Sequence, residues 1–152
     1  MEAPETRRLY FAYGSNMDSR QMSERCRQAV PAGLGTLPDH RFIINQRGVA
    51  SVVPRPGARV PGLLWSLTVQ DEEVLDRYEG VPKGLYRKVL HSIERPSRAA
   101  PSRALVYVAS DQKAGTPREG YLEQVLAAAQ ALGLPAEYIA ELETWRVPPP
   151  VP

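Results

Sequence analysis

Leu9-Tyr10-Phe11-Ala12-Tyr13-Gly14-Ser15-Asn16 decides how this chain is read. An apolar run ends abruptly in a glycine and two small polar residues. A helix signal follows at once. Asp18 stands as N-cap, Gln21 lies three residues on, and Met22 and Cys26 follow at i,i+4 spacing. A strand turning through glycine into a helix start leaves backbone N–H groups pointing one way, and such a cradle suits an anion. Its place near the start makes it the first strand of the fold.

Working outward, the 152 residues are 43% hydrophobic and 24% charged, enough for one domain with one core. We take residues 8–145 as that domain and 1–7 and 146–152 as flexible tails. The formal net charge of +2 comes with no basic stripe, which argues against nucleic acid. Arg95, Arg98 and Arg103 flank a Pro/Ser/Ala segment and read as a solvated loop. Cys26 is the sole cysteine, so no intrachain disulfide and no cysteine zinc site can form. His40 and His91 fall on separate expected strands without ligand spacing, so no metal is expected. The polar N-terminus has no apolar signal core, and no apolar run approaches a membrane span. A cytoplasmic monomer or homodimer, with neither membrane nor nucleic acid as partner, is the expectation.

Strands are expected at 8–13, 30–37, 41–46, 49–53, 60–68, 86–93 and 104–109. Pro38-Asp39 and Pro54-Arg55-Pro56-Gly57 read as breaks between them. Helices are expected at 18–26, 70–79, 118–132 and 135–143. Thr68 and Asp71 open the second like a capping box, and Pro135 sits in the first turn of the last. Pro148-Pro149-Pro150-Val151-Pro152 reads as extended polyproline or disorder. Strands in succession with few helices between them predict an α+β fold. Its sheet is mixed and mainly antiparallel, closed into a small barrel with helices outside.

Glu79 is out of place on its helix. The apolar stripe is Val74, Leu75 and Tyr78, and Glu79 lies on the row of Leu75 in the last turn, before Gly80. A carboxylate there meets the negative end of the helix dipole, which costs about 0.3–1 kcal/mol. Apolar neighbours disfavour its charge further. Both effects suit a general acid/base near neutral pH. A solvated glutamate at a frayed helix end fits the same residues, and both readings stand at this point. Tyr86 follows a turn that returns the chain toward Glu79, so its hydroxyl is a candidate to orient the carboxyl.

Taken together, five pieces resemble the γ-glutamylcyclotransferase (AIG2-like) family. They are Phe11-Ala12-Tyr13-Gly14-Ser15-Asn16-Met17, Gly62-Leu63-Leu64-Trp65, and Leu75-Asp76-Arg77-Tyr78-Glu79-Gly80-Val81 with Gly84-Leu85-Tyr86-Arg87. Ala104-Leu105-Val106-Tyr107-Val108 is the fourth, and Pro117 with Tyr121 leading to Gly133-Leu134-Pro135-Ala136-Glu137-Tyr138 is the fifth. The resemblance runs from about Leu9 to Leu142. It implies a compact mixed β-barrel flanked by helices. It also implies cleavage of a small γ-glutamyl substrate into 5-oxoproline and a free amine or amino acid, without cofactor. The family's catalytic glutamate falls on Glu79. The loop that cradles substrate falls on Tyr13, Gly14, Ser15, Asn16 and Met17. Pocket tyrosines fall on Tyr86, Tyr107 and Tyr121. Many relatives carry Ser after the position of Pro117, where this chain has Arg118.

The chemistry fits what the chain lacks. The substrate's own α-amine is the nucleophile in such a reaction, so no Ser/His or Cys/His pair is needed. Ser15 as a hydrolase nucleophile lacks the Gly-x-Ser-x-Gly elbow. Related branches act on γ-glutamyl-amines, glutathione or biosynthetic γ-glutamyl groups. They more often carry Thr or Ser then Leu after Tyr-Gly, and Ser15-Asn16 points instead to the amino-acid branch. A binding module that keeps the cradle without catalysis is the remaining alternative.

Overall fold

A computed structural model of the chain describes residues 6–147. Among them, five strands form one sheet in the order β2-β3-β1-β5-β4. In chain order the strands are β1 (Arg7–Ala12), β2 (Val30–Ile44), β3 (Ala50–Thr68), β4 (Tyr86–Ile93) and β5 (Ser102–Ala109). The helices are α1 (Ser19–Arg25), α2 (Val69–Tyr78), α3 (Tyr121–Leu132) and α4 (Ala136–Glu143). Every ladder is antiparallel except β1 beside β5, which is parallel. The α+β class with a mixed, mainly antiparallel sheet therefore holds. The closed barrel does not. The sheet is open, and its edge strands meet at a single isolated bridge, Thr36 with Glu94, where each N–H donates to the other's carbonyl at 2.9 Å.

The strand breaks expected at proline are not breaks. β2 runs through Pro38-Asp39 and β3 through Pro54–Gly57, and both irregularities fall at one register shift, where β3 residues 55–58 lie between the pairs Pro38↔Arg59 and His40↔Pro54. Asp39 sits there at φ 58°, and its carboxylate accepts from the Gly57 N–H at 2.9 Å. A bulge lets the ladder pass prolines that have no N–H to give it.

β5 is buried from Ala104 to Ala109, as an inner strand covered on both faces must be. Buried Phe11, Phe42, Leu64 and Leu105 of the sheet share one core with Met22 of α1, Leu75 of α2 and Leu122 of α3. Each such leucine, fully buried, contributes roughly 2 kcal/mol.

The N-caps expected at Asp18 and Thr68 form. Asp18 accepts from the Arg20 N–H at 3.0 Å, and Thr68 Oγ1 from the Asp71 N–H at 3.1 Å. α3 starts at Tyr121 rather than 118, because Gly120 is left-handed and the Arg118 N–H is spent on the Gly48 carbonyl at 3.0 Å. Arg7, expected in the tail, pairs with Thr68. Residues 1–5 and the proline-rich 148–152 lie outside the described residues.

Candidate active site

β1 ends at Ala12, and the chain turns through Tyr13-Gly14 into a 3-10 turn at Ser15–Met17 before α1. α2 ends on the other side of the same cleft, with Glu79 as its C-cap and Gly80 at φ 68° releasing the chain. The β2–β3 turn, β4, β5 and the start of α3 complete the walls. The cleft has a volume of ≈ 490 Å³ and is lined by Tyr13, Gly14, Ser15, Asn16, Glu79, Tyr86, Tyr107 and Tyr121, with further polar groups described below. That size suits a small molecule. The exception among the expected site residues is Met17. Its side chain is buried in the core, and its N–H donates to the Gly14 carbonyl at 3.1 Å. The Asp18 N–H is likewise spent on the Ser15 carbonyl at 3.0 Å, so the cradle is narrower than the sequence suggests.

Glu79 is part-buried, and burial pushes its carboxyl up to about 7 against the opposing pull of Arg25, Asn16 and Arg47. Desolvation of the charged form wins over two cations and a hydrogen bond. The orienting group is Asn16, whose Nδ2 donates to Glu79 Oε1 at 3.1 Å and to the Tyr10 hydroxyl at 3.0 Å. Tyr86 does not take that role. Its hydroxyl donates to the Ala50 carbonyl at 2.6 Å.

The other tyrosine hydroxyls are also committed. Tyr13 donates to the Tyr107 carbonyl at 2.5 Å, and Tyr107 to Asp76 at 2.5 Å. The Tyr121 hydroxyl accepts from the Ala50 N–H at 3.1 Å and is held by Ser15 as well. Burial raises every one of these phenols, Tyr121 up to about 12. They are neutral walls rather than proton carriers at neutral pH. Gly14 permits the closeness of Tyr121, because a Cβ there would stand 2.9 Å from the Tyr121 hydroxyl oxygen.

Sequence reasoning missed Gln21, Arg25, Arg47 and Gln124. Gln21, read as half of a capping box, instead donates to Ser15 Oγ at 2.8 Å and Asn16 Oδ1 at 2.9 Å. Gln124 of α3 donates to Gln21 Oε1 at 2.9 Å and to Asp18 at 3.0 Å. The i,i+4 spacing of Gln21 and Arg25 is the one signal that could have placed both on the helix face toward the loop. Arg47 sits on the β2–β3 turn, which buried Asn45 shapes by accepting from the Arg47 and Val49 N–H groups at 3.0 and 3.3 Å. Arg118 clamps this turn by donating through Nε to the Arg47 carbonyl at 2.8 Å.

Ser15 and Cys26, the candidate nucleophiles, have no base positioned to activate them among the described residues. Ser15 Oγ faces Gln21 rather than a base. The Cys26 thiol is buried, donates to the Asp71 carbonyl at 3.5 Å, and is pushed up to about 11 by burial. His40 and His91 stack edge-on at 4.8 Å across β2 and β4 and do not line the cleft. Among the described residues no cluster of three or more His, Cys, Asp or Glu could hold a metal ion, and no helix is long and apolar enough to cross a membrane.

Comparison with known proteins gives a consistent result. A family model described as the AIG2-like family matches residues 59–142. The γ-glutamylcyclotransferase of Mus musculus is 27% identical over 146 residues, covering 89% of this chain and 77% of its own length. That of Homo sapiens is 26% identical over 145 residues, covering 89% and 77%. A solved structure of a γ-glutamyl cyclotransferase superposes with a TM-score of 0.86 at 23% identity, over 97% of this chain and 92% of its own. At that identity the superposition speaks for the fold alone.

Proposed function

The chain belongs to the AIG2-like family, and from that footing we propose that it is a γ-glutamylcyclotransferase with Glu79 as its general acid/base. One observation carries the reading: a carboxyl with a pKa of about 7 stands in a small-molecule cleft with one oxygen held by Asn16.

The mechanism follows from what the reaction requires. A γ-glutamyl substrate enters with its α-amine protonated, and an ammonium cannot attack a carbonyl. Ionised Glu79 takes one proton from it. The freed amine attacks the γ-carbonyl carbon, one C–N bond forms, and the carbonyl oxygen carries the negative charge of the tetrahedral intermediate. Glu79 then passes its proton to the leaving nitrogen as the original amide C–N bond breaks. The ring nitrogen, still carrying one proton more than a lactam holds, sheds it to Glu79, which hands it to the departing amine. The products are 5-oxoproline and a protonated amine or amino acid, and Glu79 is left ionised. A group whose pKa lies near the working pH serves both steps, and such proton transfer is typically worth about 10²–10⁴-fold.

Folding the flexible γ-glutamyl chain back on itself supplies the rest. Holding amine and carbonyl in contact can contribute up to roughly 7–11 kcal/mol in favourable cases. The walls of Tyr13, Tyr86, Tyr107 and Tyr121 suit that task, because their hydroxyls are anchored to the protein and their rings are fixed. Arg47 on the cleft wall favours a leaving group that carries a carboxylate, and so a γ-glutamyl amino acid.

The test is direct. The protein is incubated with γ-glutamyl dipeptides and the mixture is chromatographed for 5-oxoproline. Product is expected from the wild type and not from a folded Glu79→Gln. Full activity in that variant rejects the mechanism.

A further inference from the structure

We propose that Arg25 is a positioning residue for this reaction, helping to set, from its own side, which end of the Asn16 carboxamide faces Glu79. The inference rests on the cyclotransferase reading for its effect on turnover but not for its geometry.

A carboxamide has two nearly isosteric ends, one a donor and one an acceptor. With the acceptor end toward Glu79, Asn16 would repel the ionised carboxylate. With the donor end there, it holds one oxygen in place. Something must choose between the two. Arg25 Nη1 donates to Asn16 Oδ1 at 3.1 Å. A guanidinium is donor-only at every working pH, so Oδ1 must turn to Arg25 and Nδ2 to Glu79. Gln21 donates to the same oxygen at 2.9 Å, but Gln21 is itself a reversible amide. Its own sense comes from Gln124, which Asp18 orients as an acceptor-only carboxylate. A chain of amides thus runs between two groups of fixed polarity, Asp18 at the far end and Arg25 beside Glu79.

Arg25 is itself held. It occupies the last turn of α1, where a cation is favoured, and its guanidinium lies 4.5 Å from the centroid of the Tyr78 ring. Tyr78 is an exposed aromatic at the mouth of the cleft. That cation–π contact steadies the guanidinium, whose donor fork a lysine ammonium would not reproduce.

Charged and titratable groups reach Glu79 from every side, so a pH readout must be assigned with them in view. Arg25 comes from α1 and Arg47 from the β2–β3 turn. Tyr10 and Tyr13 come from β1 and the residue after it, Tyr86 from β4, Tyr107 from β5 and Tyr121 from α3. All five phenols are raised and stay neutral, which leaves the two arginines as the charges that pull Glu79 down.

The experiment compares the wild type with Arg25→Met and Arg25→Lys in the full chain. Steady-state kinetics on a γ-glutamyl dipeptide is paired with a 13C NMR titration of the Glu79 carboxyl, assigned against Glu79→Gln. For Arg25→Met, kcat is expected to fall about 10- to 100-fold at neutral pH with KM within about threefold, the pattern of lost alignment. The Glu79 titration and the acid limb of the pH profile should both move to higher pH. Arg25→Lys should return the titration toward its original midpoint and recover only part of kcat.

If Arg25→Met does not fold, Arg25→Gln repeats the comparison with a polar group at this half-buried position. Unchanged kcat and an unchanged midpoint overturn the proposal. A raised KM with kcat intact also overturns it, because Arg25 would then bind substrate directly. A wild type that forms no 5-oxoproline from any γ-glutamyl substrate rejects the cyclotransferase reading instead, and the 15N–1H signals of the Asn16 side-chain amide then decide the proposal about Arg25: a shift in Arg25→Met supports it, and unchanged signals overturn it.

Discussion

Asn16 and Glu79 meet at 3.1 Å across 63 positions of sequence. One is buried in the loop after β1 and the other caps α2, so a single hydrogen bond joins the two segments that form opposite walls of the cleft. The bond favours the ionised carboxyl, yet burial still leaves Glu79 near 7. The protein therefore holds this group at a thermodynamic disadvantage, and that disadvantage can be measured.

Glu79 should destabilise the fold at alkaline pH. Its folded pKa of about 7 lies above the ordinary 4.5, so between those values the native state binds more protons than the unfolded chain. Stability then falls as pH rises through that window, and above about 7 the full cost is present, roughly 3 kcal/mol. Glu79→Gln removes the titration. Urea unfolding at pH 5 and pH 8 should show the variant gaining on the wild type at the higher pH by about 1–3 kcal/mol. A difference that does not depend on pH would mean that the carboxyl is not raised.

Tyr86→Phe should cost stability more than rate. The hydroxyl donates to the buried Ala50 carbonyl at 2.6 Å and not to Glu79. Its loss leaves that acceptor unpaired, at about 1–2 kcal/mol. The ring remains on the cleft wall, so kcat is expected within about fivefold of wild type. Thermal melts and steady-state kinetics on the same preparation give the comparison. A much larger loss of kcat with an intact fold would give the hydroxyl a direct part in the chemistry.

What the sequence makes legible here is what depends on near neighbours. The turn at Gly14, the cap at Asp18, the cap at Thr68 and the odd position of Glu79 each follow from a few adjacent residues. What it hides depends on distant partners. Pro38 and Pro54 look like strand ends because the bulge that passes them belongs to two strands at once. Tyr86 looks like the partner of Glu79 because it lies seven residues on, whereas the true partner is 63 away. The closed barrel fails for the same reason, since one bridge between Thr36 and Glu94 does not make a ladder.

Arg47→Ala should discriminate between substrates. Arg47 reaches the cleft from a turn fixed by Asn45 and Arg118. If it receives the carboxylate of the leaving amino acid, its loss should raise KM for a γ-glutamyl dipeptide about tenfold or more. A γ-glutamyl-amine without that carboxylate should show KM within about twofold of wild type. Equal effects on both substrates would assign Arg47 to the common γ-glutamyl end, or to Glu79 alone.

Gly14 and Tyr121 should behave as one unit. A Cβ at Gly14 would lie 2.9 Å from the Tyr121 hydroxyl oxygen and 3.2 Å from Ala50 Cβ. That hydroxyl cannot simply withdraw, because the Ala50 N–H donates to it at 3.1 Å. Gly14→Ala should therefore overpack the loop, at about 1–3 kcal/mol, and displace the wall opposite Glu79. Tyr121→Phe alone leaves the Ala50 N–H without its acceptor, at roughly 1 kcal/mol. In the double variant the crowded oxygen is gone, so the combined cost should fall below the sum by about 1 kcal/mol or more. kcat/KM should follow the same non-additive pattern. Strict additivity in a double-mutant cycle would mean that the loop has room for the methyl group and that Gly14 is there for another reason.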